Sequence, residues 1–163
     1  MANGGGGNRQ LGAGGRRDGP LPHGGDRGRG GGPGGGGSGG RPSFDAPSET
    51  TVKAILAGNG VVIVEEARRV AQALVANGLK NAQIRNFYGP LVRLRDSRVS
   101  DEVKRNRLHL MRPRLAYMEN RTDGAARPLA VVFERLIPAV TQPEHLEHLV
   151  EFAEAVVAYH SQK

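Results

Sequence analysis

The sequence predicts an all-α protein: a compact bundle of about five to six helices preceded by a disordered Gly/Arg-rich tail. Three observations carry this. Twenty of the 25 glycines stand before Arg41, and glycine has no side chain to bury while losing the most backbone entropy on ordering. From Ser48 onward, apolar residues recur three and four positions apart, the repeat of one helix face. Apart from short valine runs, no segment alternates with period two, so no sheet is expected. Residues 1–47 are therefore assigned to the tail and residues 48–163 to the bundle, which at roughly 115 residues suffices for one core but not two. Trp is absent and aromatics are 4%, so that core must be built from Leu, Val, Ile and Ala.

Ser48 is an N-cap candidate for a short first helix to about Ala57, ended by Gly58-Asn59-Gly60. A second helix runs from about Val61 to Asn77. Ile63, Ala67, Val70, Ala71 and Leu74 share one face, and Gly78 is positioned as its C-cap. Asn81 is the N-cap candidate of a third helix carrying Ile84, Phe87, Tyr88, Leu91 and Leu94, in which Gly89-Pro90 predicts a kink or a break. A fourth spans about Ser100 to Asn120 with Leu108, Met111, Leu115 and Met118 on its inner side, bent by Pro113. After the turn Thr122-Asp123-Gly124 comes a fifth, with Pro128 in its first turn. The sixth begins at Pro143 and faces inward with Leu146, Leu149, Val150, Ala153, Val156, Val157 and His160. Glu144, Glu147, Glu151 and Glu154 cover its opposite side.

The formal net charge is +7 with a pI near 10.5, which points to a polyanionic partner, either nucleic acid or an anionic membrane surface. The charge is not spread evenly. Residues 48–79 are neutral overall. Residues 80–121 carry Lys80, Arg85, Arg93, Arg95, Arg98, Lys104, Arg105, Arg107, Arg112, Arg114 and Arg121 against four acids, a net of +7, and residues 122–163 come to −3. The basic block thus falls on the third and fourth helices.

On one continuous helix Arg107, Arg114 and Arg121, seven apart, would lie on nearly one line at intervals of roughly 10 Å. Arg105 and Arg112 would form a parallel pair. Guanidinium groups grip phosphate with two hydrogen bonds, so such a row can follow a sugar-phosphate backbone. Asn81, Gln83, Asn86, Asn106 and Tyr117 stand among the arginines and can reach sugar hydroxyls as well as phosphates. The competing reading is a solvated face neutralised by the acidic last helix of the same or a neighbouring molecule. No recognition-helix or zinc pattern suggests base reading in duplex DNA, so backbone contact without sequence preference is expected, with RNA as the ligand.

Arg9, Arg16, Arg17, Arg27, Arg29 and Arg41 punctuate the tail. It reads as a flexible solubilising extension, although Arg-Gly mixtures also hold single-stranded RNA. Gly-rich stretches in it follow no strand and open no helix, so they are not phosphate loops. There is no Cys, which excludes disulfides, thiolate zinc sites and a cysteine nucleophile. No apolar leader and no apolar run of membrane-spanning length is present, so a cytoplasmic protein without membrane association is expected. His145 and His148 have a metal-compatible i, i+3 spacing but no third ligand of suitable type, and read as a solvated helix face. With no Gly-x-Ser-x-Gly and no paired acid and base, no catalytic residue, metal or cofactor is assigned.

Three stretches together carry a family resemblance. Ala82-Gln83-Ile84-Arg85-Asn86-Phe87-Tyr88, Leu110-Met111-Arg112-Pro113-Arg114-Leu115-Ala116-Tyr117 and Phe152-Ala153-Glu154-Ala155-Val156-Val157-Ala158-Tyr159-His160 resemble, in order and spacing, segments of the small subunit of the type III-A CRISPR effector. That subunit is the non-catalytic backbone protein of the Csm ribonucleoprotein. The resemblance covers about residues 50 to 162. It implies a helical bundle whose copies stack as a filament beside other effector subunits, contacting guide RNA and target RNA without catalysing their cleavage. Guide pairing reads sequence and protein grips the backbone, as in other RNA-guided effectors. The contacts it implies are Arg85, Asn86, Arg112, Arg114 and Tyr117. Arg93, Lys104, Arg105, Arg107 and Arg121 are added by the charge distribution alone. The Gly/Arg tail and the Lys80-Asn81 start of the first motif depart from the family pattern. The alternatives are a type III-B small subunit, a stand-alone RNA chaperone acting through its tail, and a metal-dependent nuclease using His145 and His148.

Overall fold

The computed structural model describes residues 43–161 together with Gly19, so the assignment of residues 1–42 to a tail lies almost wholly outside the described residues. Seven α-helices and no strands are found among the described residues: α1 (Glu49–Leu56), α2 (Gly60–Ala76), α3 (Asn81–Asp96), α4 (Asp101–His109), α5 (Met111–Arg121), α6 (Arg127–Ala139) and α7 (Pro143–His160).

Local chemistry accounts for the boundaries. Ser48, Asn59 and Ser100 each accept a backbone N–H of the first turn of α1, α2 and α4, satisfying donors that have no intrahelical partner. The α1 helix closes with Gly58 N–H donating to the Ile55 carbonyl and Asn59 N–H to that of Ala54; α2 closes the same way through Gly78 and Leu79. Both glycines sit in the left-handed region, at φ 76° and 79°, where a Cβ is disfavoured. Gly58 has a second reason to be glycine. A Cβ there would lie 2.7 Å from His148 Nε2.

Two expectations change. The N-cap of α3 is Lys80, one residue earlier than the sequence suggested, because the Gln83 side chain accepts the Lys80 N–H at 2.8 Å and closes the turn. Asn81 is helical, and its Oδ1 lies 2.7 Å from His160 Nδ1. The second change concerns the prolines. Gly89-Pro90 does not break α3, which continues to Asp96. Pro113 does more than bend the next segment. It has no N–H for the His109 carbonyl and its ring crowds that turn, so the helix stops at His109, turns at Leu110 and restarts at Met111 with Pro113 in its first turn.

The α7 helix packs against α1, α2 and α3, and α6 against α1, α2, α4 and α5. Their apolar faces meet around an aromatic seam. Phe87 of α3 stands edge-on to Phe133 of α6, with ring centroids 4.8 Å apart, and Phe133 lies 5.8 Å from Phe152 of α7. Edge-to-face rings of this kind add about 0.5–1.5 kcal/mol beyond their area burial. Leu74, Ile84, Leu91, Leu115, Leu136 and Leu149 fill the surrounding core with no exposed surface to speak of. The last five residues before α1 also belong to this unit. Pro47 is buried and Phe44 is packed beneath the Arg69 guanidinium, 4.1 Å from it. Arg69 in turn holds the buried Glu66 and the Asp45 carbonyl.

Candidate nucleic-acid interface

α3 packs against α4, and two adjoining clefts lie between α3 and the α4–α5 pair. The first, about 350 Å³, lies between α3 and α5, with Gln83, Asn86, Arg114, Tyr117, Arg121 and Thr122 around a floor of Phe87, Pro90, Met111 and Met118. The second, about 480 Å³, continues along α3 to the α4–α5 junction and is lined by Arg93, Leu94, Ser97, Arg107 and Leu110. Pro90, Met111 and Arg114 belong to both, so Arg114 stands at their junction.

Neither cleft is lined by a carboxylate. The side chains of Arg93, Arg107 and Arg114 make no hydrogen bond or ion pair with any described residue. Arg121 stands over the Tyr117 ring at 5.8 Å, a cation–π contact that leaves its N–H donors free. Four guanidinium groups therefore share one groove with two amides and an exposed phenol.

The remaining predicted residues are disposed differently. Arg112 projects toward α6, where its Nε donates to Glu134 Oε2 at 2.8 Å and its Nη2 completes the ion pair 2.6 Å from the same oxygen. That hydrogen bond also raises the Arg112 pKa above the ordinary arginine value. Arg105 Nη1 donates to the Thr141 carbonyl at 2.9 Å, and Lys104 Nζ to the Arg95 carbonyl at 2.8 Å. Lys104 and Arg105 border a separate small cavity of about 130 Å³ that they share with Asp101 and Glu147. Arg85 is exposed on α3 and lines none of these clefts. The break at Leu110 also ends the idea of a single ruled line of arginines. Arg107 sits on α4 while Arg114 and Arg121 sit on α5, and the groove rather than a helix axis brings them together.

The histidines are not a solvated face. His148 is half-buried and its Nδ1 donates to the Leu56 carbonyl at 2.7 Å, closing the end of α1. His145 Nδ1 accepts the Thr141 N–H at 3.2 Å. No group of three or more His, Asp or Glu side chains placed to hold a metal occurs among the described residues. His160 is buried, with Nε2 3.0 Å from the Leu79 carbonyl.

Among known families, the model of Csm2 Type III-A matches residues 59–163, from the N-cap of α2 to the end of the chain. The chain belongs to the Csm2 Type III-A family. It is accordingly a type III-A CRISPR small subunit, a component of a multi-subunit effector complex, and every residue of the groove lies inside the span matched to Csm2. No curated protein and no solved structure matches the chain. Among the described residues no helix is long and apolar enough to cross a membrane.

Proposed function

We propose that this Csm2-family subunit is a non-catalytic backbone protein that grips the guide and target RNA of its effector through the α3–α4–α5 groove, with copies stacked as a filament. One observation carries the reading. Arg93, Arg107, Arg114 and Arg121 line a single concave surface that contains no carboxylate. Like charges gathered without internal partners repel one another, and a polyanion is the ligand that relieves them. Asn86 and Tyr117 supply neutral donors suited to sugar hydroxyls and phosphate oxygens. Of the residues singled out by family motif, Asn86, Arg114 and Tyr117 bear on this surface. Arg85 contacts RNA only where a strand passes beyond the groove, and Lys104, Arg105 and Arg112, held by the Arg95 carbonyl, the Thr141 carbonyl and Glu134, stand outside the proposed grip. The acidic outer side of α7, with Glu144, Glu147, Glu151 and Glu154 exposed, is the complement that a neighbouring copy offers for head-to-tail stacking.

The test is RNA binding across a salt series by the wild type, the Arg107→Ala/Arg114→Ala variant and a chain lacking the Gly/Arg tail, with double-stranded DNA alongside. The expected result is preference for RNA, a steep loss of affinity with salt, and a weaker and shallower response for the arginine variant. Deleting the tail leaves most binding in place. If tail deletion abolishes binding and the arginine variant behaves as wild type, the chain works as a tail-driven RNA chaperone instead.

A further inference from the structure

A surface that only followed phosphates would need no apolar concavity, yet the first cleft has one. Phe87, Pro90, Met111 and Met118 form its floor, and Tyr117 stands at its edge with 64% of its surface exposed. A large aromatic ring this open to water offers a flat face for stacking. The Arg121 guanidinium lies over that ring, 5.8 Å from its centroid, and brings a positive charge to the edge of the cleft. Across the cleft, Asn86 on α3 presents an amide donor and acceptor, and Gln83, whose Oε1 caps Lys80, presents its amide donor, the groups that pair with the hydrogen-bonding edge of a base. The volume, about 350 Å³, falls at the small end of the roughly 300–1,000 Å³ range of ligand sites.

We infer that the α3–α5 cleft is a pocket for one nucleobase turned out of its stack, held against Tyr117 while Arg114 and Arg121 take the flanking phosphates. This rests on the groove being the RNA surface and adds a second kind of contact to it. Stacking on an aromatic face is tolerant of base identity, so the pocket favours RNA with an unpaired base over a fully paired duplex without imposing a sequence.

The experiment uses the full chain with three oligonucleotides of equal length: a single-stranded RNA, the same strand with one internal abasic position, and a fully paired RNA duplex. A fourth, carrying 2-aminopurine at that position, reports stacking by fluorescence quenching. The wild type should bind the intact strand about tenfold more tightly than the abasic strand, the loss expected for one base–aromatic stack. Tyr117→Ala should bring the intact strand down to the abasic level and remove the quenching, whereas Tyr117→Phe should keep both. Arg114→Ala should weaken intact and abasic strands alike and flatten the salt response. Equal affinity for intact and abasic strands, or undiminished quenching with Tyr117→Ala, overturns the base pocket while leaving backbone binding in place. Failure of Arg114→Ala to affect any of the RNAs overturns the groove itself, and the pocket with it.

Discussion

Two parts of the molecule are built from the same residue type in the same stretch of chain and end in opposite states. On the groove side, Arg107 and Arg114 face outward with no partner among the described residues. On the α6 side, Arg105 and Arg112 are each two residues earlier in sequence, and both are occupied, by the Thr141 carbonyl and by Glu134. A shift of two residues on a helix is a rotation of about 200°. Net charge counts all four arginines alike. Only the packing of α6 against α4 and α5 decides which of them are available to a ligand and which help hold the fold together.

The largest effect comes from removing the frame that separates the two sides. Phe133 is fully buried between Phe87 and Phe152, and Phe133→Ala should cost about 3–5 kcal/mol in chemical unfolding. A loss below about 1 kcal/mol would mean that the aromatic seam does not organise the core. Gly58→Ala is next. Its φ of 76° alone disfavours a side chain by about 1–2 kcal/mol, and His148 Nε2 stands 2.7 Å from the added carbon. If the loss is no larger than that backbone part, the contact of His148 with the end of α1 is not present in solution. A His148→Ala background should remove the steric part of the effect and leave the backbone part.

The comparison itself is sharpened by smaller changes. Arg107→Ala/Arg114→Ala should leave the unfolding midpoint near wild type and reduce RNA affinity by roughly tenfold or more, each lost guanidinium taking about 0.7 from the logarithmic salt slope on a single strand. Arg105→Ala should do the reverse, with RNA binding close to wild type and a slightly lowered midpoint from the lost contact with Thr141. The smallest effect is a titration. The Arg95 guanidinium, hydrogen-bonded to Asp96, holds that carboxyl below the usual aspartate range. A depressed carboxylate contributes stability above its unfolded pKa and loses it as pH falls through the folded value. Asp96→Asn should therefore be slightly less stable than wild type near neutrality, and the two should converge below about pH 4. A gap that persists in acid would place the effect elsewhere.

The helices were legible because their apolar residues repeat at helical spacing over long stretches, as in Leu146, Leu149, Val150, Ala153 and Val156 of α7. Caps were legible where a short polar side chain precedes the first turn, as at Ser48 and Ser100. Lys80 was not, because the capping acceptor comes from Gln83 inside the helix. The prolines show the limit of local rules. Pro90 and Pro113 carry the same chemical defect, but only the second interrupts its helix. The basic block and six of the groove residues were visible, Asn86, Arg114 and Tyr117 from motif and Arg93, Arg107 and Arg121 from charge. Their separation from Arg112 was not, since Glu134 lies 22 residues away in sequence. His148 was obscure for the same reason, with its partner Leu56 92 residues away.

The central claim is that position relative to the groove, not membership of the basic block, decides which arginine contacts RNA. Arg112→Ala and Arg114→Ala, compared singly for RNA affinity over a salt series, test it most directly. The account predicts that Arg114→Ala loses about tenfold in affinity and binds with a shallower slope, while Arg112→Ala follows the wild-type line. If Arg112→Ala loses affinity and slope and Arg114→Ala does not, the RNA surface lies on the α6 side, and the groove is not where this subunit holds its ligand.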